Sequence, residues 1–159
     1  MPSTVINPRI IPSVLDRLFD DAPAERNEHP ADFRQSLANL KQAVARDLET
    51  LLNTRSDGLT DLSTYPEAER SLLTYGLPDF SSLSPSSEVD RNRIRSSIER
   101  AIAFFEPRLQ RVQVSLHTSD KNASQFNFHI EALLKVDPVP EPVVFDAVLE
   151  VSTQLYKIE

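Results

Sequence analysis

Residues 98–116 read IERAIAFFEPRLQRVQVSL, and the periodicity of the chain changes once inside them. Up to Phe105 the apolar residues Ile98, Ala101, Ile102 and Phe105 follow helical spacing; from Val112 onward Val112, Val114 and Leu116 alternate with Gln113, Ser115 and His117. An amphipathic helix ends here and a half-buried strand begins. The stop is Glu106-Pro107-Arg108, because proline lacks an amide donor and moves the residue before it out of the helical region. The flanking acid and base have two readings. Arg108 can cap the orphan carbonyls at the helix end, where a cation is favoured anyway. Alternatively, the proline fixes an acid and a base for display to a partner.

Downstream, the period of two continues. Phe126, Phe128, Ile130, Ala132 and Leu134 form one alternating run, and Val143, Phe145, Ala147, Leu149 and Val151 form another. With Val112–Leu116 these predict three antiparallel strands, joined through Asp120-Lys121-Asn122 and through the proline-rich stretch 137–142. Upstream, the period is helical. Phe33, Leu37, Leu40, Val44, Leu48 and Leu51 predict a long helix, with Asp32 as its cap and residues 53–58 as its stop. Ser87, with Asp90 three residues on, predicts a capping box for the helix that carries Ile94 and Ile98. Between these two helices, Glu67–Tyr75 reads as a short helix closed by Gly76 and Pro78. Near the N-terminus Ile10, Ile11, Val14, Leu15, Leu18 and Phe19 predict another short helix, followed by an acidic linker.

Helices first and strands afterwards make this an α+β chain, with helices packed on one face of a small antiparallel sheet. Its organisation reads as residues 1–32, a short helix and linker, followed by one domain over 33–159.

Composition excludes several chemistries. Two glycines in 159 residues cannot build a Walker A loop or a dinucleotide fingerprint, which need clustered glycine for close approach to phosphate. The absence of cysteine removes disulfides, thiolate nucleophiles and thiolate metal sites. A net charge of −7 argues against a nucleic-acid binder, whose affinity rests on phosphate neutralisation. The start MPSTVINPRI has neither a basic region nor a long apolar run, so the expectation is a cytoplasmic protein without signal peptide or membrane insertion.

Candidate sites are few. No serine sits in a nucleophile elbow, and the only histidines are His29, His117 and His129. His117, His129 and Glu131 share outward parity on neighbouring strands; without a ligand-spacing signature, sheet polarity explains them better than a metal does. The arginines at 91, 93, 95, 100, 108 and 111 form the densest charged feature, read as a solvated helix face or a docking surface. No cofactor is expected.

Several stretches in order resemble one known family: VLDRL at 14–18, ARDLETLLNTR at 45–55, LLTYGLPDFSSL at 72–83, IERAIAFFEPRL at 98–109, FNFHIEALL at 126–134 and PEPVVFDAVLE at 140–150. The family is TssE, the baseplate subunit of the bacterial type VI secretion system, itself similar to the lysozyme-like wedge protein of contractile phage baseplates. The resemblance implies a fold like the handshake domain of contractile-sheath subunits. It also implies a non-enzymatic role joining the baseplate wedge to the first sheath ring. The implied partners are the wedge proteins TssF and TssG, the sheath proteins TssB and TssC, and TssK. Glu106, Pro107 and Arg108 match the family's Glu-Pro-Arg motif, which is implied to contact the TssF–TssG core bundle. His129 stands where the family carries arginine, so an ion pair made there by relatives is not expected in this chain, and Ala147 stands at a frequent threonine. The lysozyme-like label keeps a peptidoglycan hydrolase using Glu106 as the alternative. The cation beside Glu106 favours an ionised carboxylate, which suits an ion pair better than a general acid.

Overall fold

The computed structural model describes Ile10 and residues 33–56, 64–69, 71–84, 87–118, 125–137, 139–150 and 155–158. The expected helix over 10–19, the acidic linker and the Asp32 cap lie outside the described residues, Ile10 apart. Among the described residues the order is helix α1 (Phe33–Asn53), the single turn α2 (Pro66–Glu69), a 3-10 turn (Leu72–Thr74), helix α3 (Glu88–Phe105), then strands β1 (Leu109–Thr118), β2 (Gln125–Leu134), β3 (Glu141–Glu150) and β4 (Leu155–Ile158).

The strands form one antiparallel sheet in the order β1-β2-β3-β4. The α+β architecture read from the sequence is thus the observed one, with a correction: the sheet has four strands, not three. In β4 only Leu155, Tyr156, Lys157 and Ile158 pair, too few residues for an alternating pattern to stand out. Its pairing with Ala147–Glu150 means that β3 is no longer an edge along its C-terminal half. The predicted helix over 67–75 is also divided, into α2 and the 3-10 turn.

One face of the sheet meets the helices. Val44, Leu48, Leu51 and Leu52 of α1 and Ile94, Ile98, Ala101 and Ile102 of α3 pack with Val114, Phe128, Ile130, Ala132, Leu134, Val143, Phe145 and Ala147 from the strands. All of these but Leu52 are positions that the two periodicities assign to the inner face. The mean of about 25 cal/mol per Å² of apolar area withdrawn from water makes this layer the main driving term of the fold.

Helix α3 begins as predicted at Ser87, whose hydroxyl accepts from the Asp90 amide at 3.3 Å. The reciprocal half of the capping box goes elsewhere: Asp90 accepts from the Ser84 amide at 3.0 Å, tying down the preceding turn.

At the start of β1 the ladder slips. Leu109 pairs with Leu134 and Val114 with Ile130, so five steps on β1 span four on β2. The extra residue is a β-bulge between Gln110 and Gln113, where Arg111 takes the left-handed conformation with φ 51°. The bulge lets Leu109, at odd parity, and Val114, at even parity, both face the core.

Candidate functional site

The Glu-Pro-Arg stretch lies where three parts of the molecule meet. Helix α3 ends at Phe105, the Glu106 amide still donates to Ile102 O at 2.9 Å, and Pro107 turns the chain so that Leu109 N donates back to Glu106 O at 3.1 Å. The Glu106 side chain points inward and its residue is only 4% exposed, the one charged residue buried among the described residues. Arg108 holds it. The Arg108 Nε donates to Glu106 Oε1 at 2.6 Å, the Arg108 amide to the same oxygen at 3.2 Å, and Nη2 to Oε2. The same Nη2 reaches Asp47 Oδ2 on α1 at 2.5 Å. Arg108 O accepts from the Lys135 amide at 2.8 Å, closing the cluster against the end of β2.

Arg108 therefore does not cap the carbonyls of α3. Its guanidinium fork matches two carboxylates, a charge-assisted geometry stronger than a neutral cap. The hydrogen bond to Glu106, with support from Asp47, raises the Arg108 pKa further, so the cation is permanent. Tyr75, edge-on to Phe105 at 5.2 Å, closes one side; its burial, with Asp47 and Glu106 nearby, pushes the phenol above its ordinary value. Of the three motif residues, Pro107 is exposed, Arg108 is partly exposed and Glu106 is enclosed. The outward surface of the motif is thus Pro107 with one side of Arg108. Glu106 serves that surface by fixing Arg108.

The loop that carries Tyr75 is itself tightly seated. Leu77 N donates to Thr54 O at 2.8 Å and Ser56 N to Leu77 O at 2.9 Å, a short parallel bridge to the end of α1. Gly76 makes this approach possible with φ +110°.

The other arginines are dispersed. Arg100 pairs with Glu69 and lies over the Phe104 ring at 5.6 Å, while Arg93, Arg95 and Arg111 are exposed. This is mostly a solvated face, with one member tied to α2.

On the outer face of the sheet, His129 Nδ1 lies 2.6 Å from Asp146 Oδ1 and Nε2 lies 3.4 Å from Glu131 Oε1. Whatever pair an arginine makes here in relatives, in this chain the cross-strand neighbour Asp146 gives His129 an ion pair whenever the imidazole is protonated. The Asp146 hydrogen bond is the main cause that raises the His129 pKa above its ordinary value. A raised folded-state value contributes stability below the unfolded pKa of about 6.5, and that contribution is lost as pH rises through the folded value. The gap in unfolding midpoint between the unmodified protein and Asp146→Asn is accordingly expected to be wider near pH ~5.5 than near pH ~8.5. An equal gap at both would remove the coupling. Ala147 is buried against the core, where a hydroxyl would need a partner.

Three residues that the sequence reading did not single out hold the elements together. Asp47 completes the Arg108 cluster. Asn53 bonds both backbone groups of Tyr156, Nδ2 to the carbonyl at 2.8 Å and Oδ1 from the amide at 2.7 Å. Glu99 accepts from the Val114 amide at 3.0 Å. Asp47 and Asn53 fall in the ARDLETLLNTR stretch and Glu99 in IERAIAFFEPRL, but helical patterning scores them only as polar positions. Among the described residues no group of three or more His, Cys, Asp and Glu could hold a metal ion, and no helix is long and apolar enough to cross a membrane.

A family model described as baseplate wedge protein gp25 matches residues 38–139, from the first turns of α1 past the end of β2 and across the whole Glu-Pro-Arg cluster. Among solved structures, one of the baseplate complex from the type VI secretion system is similar, with 15% sequence identity and a TM-score of 0.49 over 69% of this chain and 93% of that chain. No curated protein matches.

Proposed function

Since the chain belongs to the family of baseplate wedge protein gp25, and so has a structural role in a baseplate, we propose that it works in the wedge of a type VI secretion baseplate. There it joins the wedge core to the first ring of the contractile sheath and helps to start sheath polymerisation. The observation that carries this reading is the family match over 38–139, which spans the Arg108 cluster. The ordered resemblance to TssE from residue 14 to residue 150 supports the secretion system over other contractile machines.

In this role the chain binds the core bundle of TssF and TssG through Pro107 and the outward side of Arg108, and contacts the sheath proteins TssB and TssC, with TssK in the same assembly. It acts without catalysis, in the cytoplasm. The Glu106 carboxylate, already engaged by the Arg108 fork and the Arg108 amide, is poorly placed to give a proton to a glycosidic oxygen, which favours the structural role over a hydrolase.

Pro107→Glu separates docking from folding, because Pro107 is exposed and takes no part in the ion pairs. The variant should keep its unfolding midpoint and recover TssF and TssG from cell extract with roughly tenfold lower yield, the size of one mismatched charge in a contact. A folded variant that captures both partners as well as the unmodified chain would exclude this surface.

A further inference from the structure

The bulge in β1 puts two demands on residue 111, and they call for different residues. The backbone demand comes from packing, since the extra residue is what lets Leu109 and Val114 both face the core. That residue takes φ 51°, in the left-handed region, where a Cβ is crowded by the following carbonyl oxygen and where a bulge ordinarily places glycine. Glycine would meet this demand without strain. The chain has arginine instead, the one non-glycine residue with positive φ among the described residues. Strain of this kind gathers where a side chain must be held for a contact.

The Arg111 side chain has no such contact within the chain. Arg55, Arg100 and Arg108 each pair with a carboxylate, whereas Arg111 is exposed and pairs with none among the described residues. Arg93 and Arg95 also lack one, but they sit on ordinary helical backbone, where arginine is a good former and needs no further reason. Arg111 follows Arg108 by three residues, about 10 Å or less along a strand, so both belong to one patch with the exposed Pro107. Lys135, whose amide bonds Arg108 O, adds another exposed cation there. On a chain of net charge −7, the joint between α3 and β1 thus sets cations around a proline. Such a surface fits a partner that presents carboxylates, and the arginine fork suits them better than a lysine does.

We propose that Arg111 is a specificity residue of the docking surface, held out beside Pro107 and Arg108 by the bulge so that its guanidinium pairs with a carboxylate of the partner. This rests on the assembly role and names the chemistry of the surface that docks: acidic, and spaced to meet Arg111 as well as Arg108. The left-handed backbone fixes the direction in which the side chain leaves the strand. A partner that carries its acid elsewhere gains nothing from it.

The test titrates the full chain and its Arg111→Gly, Arg111→Lys and Arg111→Glu variants against purified TssF and TssG, with urea unfolding of each variant alongside. Arg111→Gly should unfold at the same urea concentration or a higher one, because glycine relieves the left-handed residue. It should nevertheless bind roughly tenfold more weakly, the size of one charge-assisted hydrogen bond. Arg111→Lys, which keeps the charge and loses the fork, should fall between the two. Arg111→Glu sets like charges together and should lose about a hundredfold. Raising salt from ~0.05 M to ~0.3 M should weaken the unmodified chain more than Arg111→Gly, a difference that a residue serving only the bulge would not show. A glycine variant that binds as tightly as the unmodified chain, or with the same salt dependence, would overturn the assignment. So would a lower urea midpoint in that variant, which would make the arginine a support of the bulge. If Pro107→Glu loses binding and Arg111→Gly does not, the docking surface stands without Arg111. If the unmodified chain binds neither protein, the assembly role fails and this contact falls with it.

Discussion

Arg108→Ala is expected to destabilise the protein by about 3 kcal/mol, more than any other single change at the Glu-Pro-Arg cluster, because it strands a buried carboxylate. Glu106 is only 4% exposed, and its Oε1 accepts two hydrogen bonds and its Oε2 one, all three from Arg108. With the guanidinium gone, that carboxylate must be buried unpaired or take up a proton. Glu106→Ala should cost less, about 2 kcal/mol, because the remaining cation keeps Asp47 and is itself partly solvated. Asp47→Ala should cost under ~1 kcal/mol, its carboxylate being 41% exposed and its loss leaving the buried pair intact. The order of urea midpoints, Arg108→Ala lowest and Asp47→Ala highest, is the measurement. Equal midpoints for the Arg108 and Asp47 variants would mean that Glu106 is not held as described. Loss of assembly in an Arg108 or Glu106 variant therefore reports on folding as well as docking, which is why Pro107 is the better probe of the surface.

Gly76→Ala should be comparably severe, about 3 kcal/mol, through backbone strain and overlap together. A Cβ built on Gly76 would stand 2.4 Å from Thr54 O, a rigid backbone atom, and the φ of +110° is one that L side chains rarely adopt. The oxygen in the way is also the acceptor for Leu77 N, so it cannot retreat without breaking the bridge between the loop and α1. Asparagine is no remedy, since its tolerance for the left-handed helical region does not extend to this φ. For a domain of this size the thermal midpoint should fall by roughly 10 °C. A drop within about 2 °C would show that the loop is free to move away from Thr54.

The parts of the fold that were legible are those where periodicity and burial coincide. Val44, Leu48 and Leu51, Ile94, Ile98 and Ile102, and Val114, Phe128, Ile130, Ala132, Leu134, Val143, Phe145 and Ala147 of β1 to β3 all recur at the spacing of their element, and all are buried. The capping hydroxyl of Ser87 was legible too, because a cap is local. What escaped was set by contacts distant in sequence. β4 exists because β3 and Asn53 receive it, and neither leaves a mark on residues 155–158. The Glu106–Arg108 pair was visible as charge, but the carboxylate that joins it from α1, Asp47, lies 61 residues from Arg108. Glu99 looked like one acid of a wet helix face; only the edge position of β1 gives its carboxylate a task.

The bulge at Arg111 bears on how related chains can be aligned and lengthened. Side chains of a strand alternate between faces, so a single residue added or removed inverts everything beyond it. In β1 that inversion has already been used once, between Leu109 and Val114. A relative that is one residue shorter over 110–112 would present Val114 and Leu116 to solvent and Ser115 to the core, unless its apolar pattern moved by one place as well. Length changes at this joint are thus tied in pairs, or tied to a compensating shift of pattern, while the turn around Pro107 is free of that constraint. A gap of one placed here when two such sequences are compared is a statement about which side of the sheet is wet.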